Sequence, residues 1–118
     1  MLQLRPKKEV VTLRPVKCVR VYRDGFFVVV TLESPGWRTV DLPGHWVSVR
    51  KGIISGRFVG FDVYCPPSLG LRGKVRITQI LDAVLLASDT AFGPYIREIY
   101  ELAEGLTVVA PSHDNLWR

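Results

Sequence analysis

Two residues, Asp24 and Gly25, separate two runs rich in β-branched and aromatic side chains, Val16 to Arg23 and Phe26 to Glu33. Asp and Gly tolerate the positive φ that a type I′ turn requires at both central positions, and the twist of that turn matches the strands it joins. The segment therefore predicts a β-hairpin. Its register follows from the turn, with Arg23 facing Phe26, Tyr22 facing Phe27, Val21 facing Val28, Arg20 facing Val29 and Val19 facing Val30. Because strand side chains alternate between two faces, Val19, Val21, Val28 and Val30 are expected in the core. Cys18, Arg20, Tyr22, Phe27, Val29 and Thr31 share the other, mixed face.

The same alternation, broken by Gly and Pro, continues along the chain. After Ser34-Pro35-Gly36 a short strand is expected around Arg38 to Leu42, and after Pro43-Gly44 another from His45 to Lys51. A loop from Gly52 to Gly56 leads into a strand from Arg57 to Cys65, where Gly60 marks a bulge or a close packing point. Pro66-Pro67 ends it. Residues Ser68 to Gly73 read as a loop and Lys74 to Leu81 as a strand with Val75 and Ile77 inward, while Ala83 to Ala87 fits either a strand or a buried turn of helix. A helix is predicted over residues 94–104, since Pro94 suits the first helical position, Gly105 the position past the last turn, and Ile96, Ile99, Tyr100 and Ala103 make one apolar stripe. Leu106 to Ala110 reads as a last strand.

The organisation expected is an arm or edge strand at 1–15, a single β-rich domain over 16–110 and a tail at 111–118. The fold class is α+β, mostly β: a small antiparallel barrel or strongly curved sheet covered by one C-terminal helix. A chain of 118 residues, 47% hydrophobic, is long enough to build one such core unaided.

Composition narrows the setting. Arg5, Lys7 and Lys8 are followed by no apolar stretch of the signal-peptide kind, and the longest apolar runs, Phe26 to Val30 and Ala83 to Ala87, are each five residues. About 20 are needed to cross a bilayer, so the expectation is a cytoplasmic protein with no membrane partner. Gln3, Gln79 and Asn115 are the only amides and Met1 the only methionine, a scarcity of thermolabile residues that suggests a thermophile. In such organisms even intracellular cysteines can be bridged. For Cys18 and Cys65 the favoured reading is nevertheless two buried free thiols. With His45 and His113 they show no metal-ligand spacing, and no residue pattern asks for a cofactor.

Charge is unevenly placed. Residues 1–80 carry a net +9 and residues 81–118 a net −4, giving +5 overall, and eleven of the sixteen basic residues are arginine. A basic body with arginine in excess favours polyanionic partners and bidentate phosphate contact. Arg72, Lys74 and Arg76 are two residues apart, so on an extended strand they form a ladder with steps of ~6.6 Å, near the spacing of phosphates on a stretched strand. Arg50, Lys51 and Arg57 flank a hairpin loop as a second cluster. Arg20 with Tyr22 and Phe27 sets a cation beside two aromatic rings, the combination used by single-strand binders.

These residues lead to the expectation of a non-enzymatic nucleic-acid-binding module for single-stranded or structured RNA or DNA. The bland readings are that the ladder is a solvated surface and that Tyr22 and Phe27 form a platform for the helix. A different class, a structural or adaptor subunit, would dock or form homo-oligomers through Trp37, Trp46 or strand edges. The remaining alternative is an enzyme with a small-molecule pocket near His45 and Asp62. Its catalytic residues are not specified by any nucleophile–base, metal or dinucleotide motif. Glu101 and Glu104 near the helix C-terminus, where the macrodipole disfavours negative charge, imply a basic group opposite them.

Overall fold

A computed structural model describes residues 17–22, 27–32, 36–87 and 92–110. The expected arm, the Asp24-Gly25 turn itself, His113, Trp117 and the tail lie outside the described residues. Five strands form one antiparallel sheet: β1 (Lys17–Tyr22), β2 (Phe27–Leu32), β3 (Trp37–Asp41), β4 (Val47–Gly52) and β5 (Phe58–Tyr64). Their order is β1-β2-β5-β4-β3, which leaves β1 and β3 at the edges. A 3-10 turn over Pro67–Leu69 leads to β6 (Gly73–Arg76) and helix α1 (Ile77–Ala87). A second 3-10 turn, Gly93–Tyr95, enters helix α2 (Ile96–Ala103), and β7 (Thr107–Ala110) then pairs back on β6 as a separate two-stranded ribbon.

The hairpin register read from the turn is the one observed. Tyr22 pairs with Phe27, Val21 with Val28 and Val19 with Val30. Val28 and Val30 are fully buried, as the alternation requires, but Val19 is only partly so and Val21 is 37% exposed. The difference has a topological cause: β1 is an edge strand, while α2 packs on β2 and β5 nearer the middle of the sheet. Ile99, Leu102 and Ala103 of α2 join Val28, Val30, Val47, Val49, Phe61 and Val63 in one core. Lys17, on the helix side of β1, donates from Nζ to the Glu104 carbonyl at the end of α2 (3.5 Å), a cation placed where the helix dipole favours one.

Two expectations need correction. The sheet is open, with no closed barrel among the described residues. Two helices are present, and they lie between β6 and β7 instead of one covering the C-terminus. The expected strand Lys74 to Leu81 ends at Arg76 because Ile77, Ile80, Leu81 and Val84 fall at helical spacing and are all buried. The Gln79 side chain accepts the Arg76 backbone N–H at 2.9 Å, half of a capping box that starts the helix there. The same stripe settles Ala83 to Ala87 as helix. None of the described helices is long and apolar enough to cross a membrane.

Gly60 is a point of close approach. A Cβ there would lie 2.5 Å from the Val30 carbonyl oxygen and 2.9 Å from Thr31 Cα, so no larger residue fits between β2 and β5. The β4–β5 ladder shifts register beside it, between Arg50 and Lys51. The extra residue is Val59 of β5, which brings Phe58 to the helix side opposite Lys51, while ordinary alternation along β4 leaves Arg50 on the face turned away from the helices.

Candidate nucleic-acid interface

The face of the sheet turned away from the helices is ordered in rows by strand register. One row runs Arg20, Val29, Asp62, Ser48, Asp41 across all five strands, and the next holds Cys18, Thr31, Gly60, Arg50 and Thr39. A third begins with Tyr22 and Phe27 and continues to Tyr64, which meets Trp46 edge-on at 5.7 Å. The expectation that Tyr22 shares a face with Arg20 holds, and this face is opposite to the one α2 covers. Tyr22 is 47% exposed. The Phe27 side chain lies outside what the structure describes.

Charge in the middle of this face is internally compensated. Arg50 Nε donates to Asp62 Oδ1 at 2.8 Å, with both side chains largely covered, and the Arg50 guanidinium lies 4.9 Å from the centroid of the Trp37 ring. Burial lifts the Asp62 carboxyl above its ordinary value; the Arg50 hydrogen bond and charge oppose that shift, and Asp41 adds to it. Ser48 Oγ donates to Asp41 Oδ1 at 2.7 Å. Arg50 thus serves the fold before it can serve a ligand, a role the sequence reading missed. The signal was available: once β4 and β5 pair around the 52–56 loop, Arg50 and Asp62 fall on one face within diagonal reach.

The other cations are distributed differently. Lys51 sits over the Tyr95 ring at 5.0 Å on the helix side, where Phe58 stacks on the same ring at 6.4 Å. Arg57 is exposed beyond the hairpin loop. Arg72 is exposed just before β6. Lys74 pairs with Val109 and Arg76 with Thr107 across the β6–β7 ribbon, and these four residues are all exposed. On the alternate face Val75, Val108 and Ala110 are buried, while Gly73 at the start of β6 is exposed. Lys74 and Arg76 have no carboxylate within ion-pairing distance among the described residues. Arg50, Lys51 and Arg57 therefore belong to the five-stranded sheet and Arg72, Lys74 and Arg76 to the ribbon, two separate elements of the fold.

The residues weighed for catalysis do not share a cleft. Asp62 is buried and committed to Arg50, whereas the His45 side chain is 82% exposed, 3.9 Å from Asp41. His45 has φ +62 in a turn where its N–H bonds the Leu42 carbonyl at 3.0 Å, which accounts for its place by backbone geometry. A cleft of about 250 Å³ lies on the helix side, lined by Lys17, Leu32, Phe58, Glu98, Glu101 and Leu102. It is mostly apolar with two carboxylates and one ammonium, and includes neither His45 nor Asp62. Cys65 is buried, which pushes its thiol up to about 11, while Cys18 is exposed on β1. Both are free, so the reduced state was read correctly and the burial of Cys18 was not. Among the described residues no group of three or more His, Cys, Asp or Glu side chains could hold a metal ion. Trp46 is half-buried against Tyr64; Trp37 stands on edge strand β3, 41% exposed.

Against known protein families, curated proteins and solved structures, the chain has no match.

Proposed function

We propose that the protein is a non-enzymatic nucleic-acid-binding module that holds the backbone of a single-stranded or unpaired segment. The observation that carries this reading is the ribbon face, where Lys74 and Arg76 alternate with the core-facing Val75 and have no carboxylate partner among the described residues. Side chains two apart on a strand recur at ~6.6 Å, a step that matches an extended phosphate backbone. Arg72 adds an exposed cation just before the strand, and Arg20 with Tyr22 on the outer face of the sheet supplies a place for a base to stack. Duplex reading by a helix finds no support, because the exposed side of α2 carries Glu98, Glu101 and Glu104.

Titration against single-stranded RNA and DNA at several salt concentrations tests this. With about four phosphates neutralised, log K falls with log salt at a slope near −3, about 0.7 counterions per contact. Lys74→Ala with Arg76→Ala weakens binding to every sequence alike and flattens the slope by about one unit, since such contacts read no bases. Absence of binding at low salt by the folded protein overturns the proposal. The adaptor reading then leads, on the strength of Trp37 at the exposed edge strand β3, and sedimentation at increasing concentration tests it.

A further inference from the structure

The β4–β5 hairpin ends in two adjacent isoleucines turned outward, Ile53 at 65% and Ile54 at 97% exposure. Single exposed apolar residues such as Leu86 are ordinary, but a contiguous pair at the tip of a projecting turn has no role in the core. Along the chain on either side of the pair the charge is of one sign. Lys51 and Arg57 flank it, Arg38 stands across from Lys51 in the ladder, and no acidic residue occurs between Asp41 and Asp62. Trp37 pairs with Gly52 at the base of the turn, where the nearby Arg50 charge is already met by Asp62.

The tip is also fixed. Gly52 N–H donates to the Arg57 carbonyl at 2.9 Å and Gly56 N–H to the Gly52 carbonyl at 2.9 Å. Ile53 N–H reaches the Gly36 carbonyl at 3.3 Å, and Arg57 N–H the Ser55 hydroxyl at 3.1 Å. Gly56 takes φ +68, and a Cβ at Gly52 would lie 2.7 Å from Ser55 Oγ, so this turn geometry depends on its glycines. A rigid apolar point between cations is the form of a wedge that separates stacked bases while the flanking charges hold phosphates. A lipid surface asks for no such rigidity, and it would gain only about 1 kcal/mol from each nearby cation.

We propose that Ile53 and Ile54, framed by the exposed Arg38 and Arg57, form a wedge that inserts between stacked bases of the bound strand. This rests on the nucleic-acid reading above and adds to it a second point of contact that acts on stacking instead of on charge. Ile54→Ser is the informative variant, because the side chain is nearly fully exposed and its loss leaves the fold intact, as circular dichroism will confirm. The probe is single-stranded DNA carrying 2-aminopurine at staggered positions, whose fluorescence rises when its base unstacks. The wild-type protein raises the signal at one or two positions. Ile54→Ser binds within about threefold of wild type with the same salt slope, since the phosphate contacts remain, but loses the rise. Ile54→Lys tightens binding at low salt and loses the rise as well.

Equal fluorescence with wild type and Ile54→Ser overturns the wedge, as does wild-type binding with no rise at any position; both leave the nucleic-acid reading standing. No binding by wild type removes that reading and the wedge with it. Co-sedimentation with phosphatidylserine vesicles that is lost in Ile54→Ser, with DNA binding and fluorescence unaffected, overturns the wedge in favour of a lipid surface.

Discussion

The five-stranded sheet and the β6–β7 ribbon treat their charges in opposite ways. In the sheet, Arg50 is matched by Asp62 and stacked on Trp37, and Asp41 is met by Ser48 and approached by His45. In the ribbon, Lys74 and Arg76 face outward beside Val109 and Thr107, with no acid paired to them among the described residues. A cation enclosed by its own fold depends on its counter-ion, since removing the partner leaves a buried charge unmet, whereas an exposed cation keeps its hydration and needs none. One basic chain thus commits arginine to structure in one element and leaves it on the surface in another.

Five substitutions sharpen that contrast by separating stability from binding. Asp62→Ala leaves Arg50 enclosed without its carboxylate and should lower unfolding free energy by about 3 kcal/mol; Arg50→Met made in the same chain should recover most of it. Denaturant unfolding of the single and double variants checks this, and simple additivity would mean that the pair does not couple. Gly60→Ala drives a methyl group against the Val30 carbonyl and Thr31, costing about 2 kcal/mol through the β2–β5 pairing. Unchanged stability there would show that the two strands can separate without loss. Lys74→Ala and Arg76→Ala should each shift stability by less than about 0.5 kcal/mol. If either destabilised the protein as much as Asp62→Ala, the ribbon charges would be structural and the comparison would collapse.

Much of the sheet was legible because its determinants are local. The Asp24-Gly25 pair set the β1–β2 register residue by residue, alternation placed β4 and β5, and the lone glycine at 60 marked the close approach. The helix expected over 94–104 is found over 96–103, after a 3-10 turn that takes in Pro94; of its expected apolar stripe Ile99 and Ala103 are buried, Tyr100 is half-buried and Ile96 is exposed. What escaped was decided at longer range. Val75 and Ile77 alternate like a strand, and only the burial of Ile80, Leu81 and Val84 on one face shows that the chain turns helical after Arg76. Val21 is patterned for a core that the edge position of β1 does not provide. At the candidate interface, Arg20, Tyr22 and the Lys74–Arg76 ladder could be placed on faces from sequence alternation alone. The Arg50–Asp62 pair follows from the β4–β5 pairing, whereas the approach of Lys51 to the Tyr95 ring needed the path of the second 3-10 turn.

The ribbon also has a kinetic meaning. Its strands bracket both helices, so Arg76 meets Thr107 by closing a loop that contains α1 and α2. Pairings that close large loops carry their entropy cost before any contact rewards it; the β2–β5 pairing, where Thr31 meets Gly60, is of this kind too, whereas β3–β4 and β4–β5 close over short turns. The outward row of Lys74 and Arg76 is therefore expected to form after the short-turn hairpins. An anion bound there favours the closed state over those in which β7 has come away, and so slows the opening of the C-terminal strand more than that of the sheet.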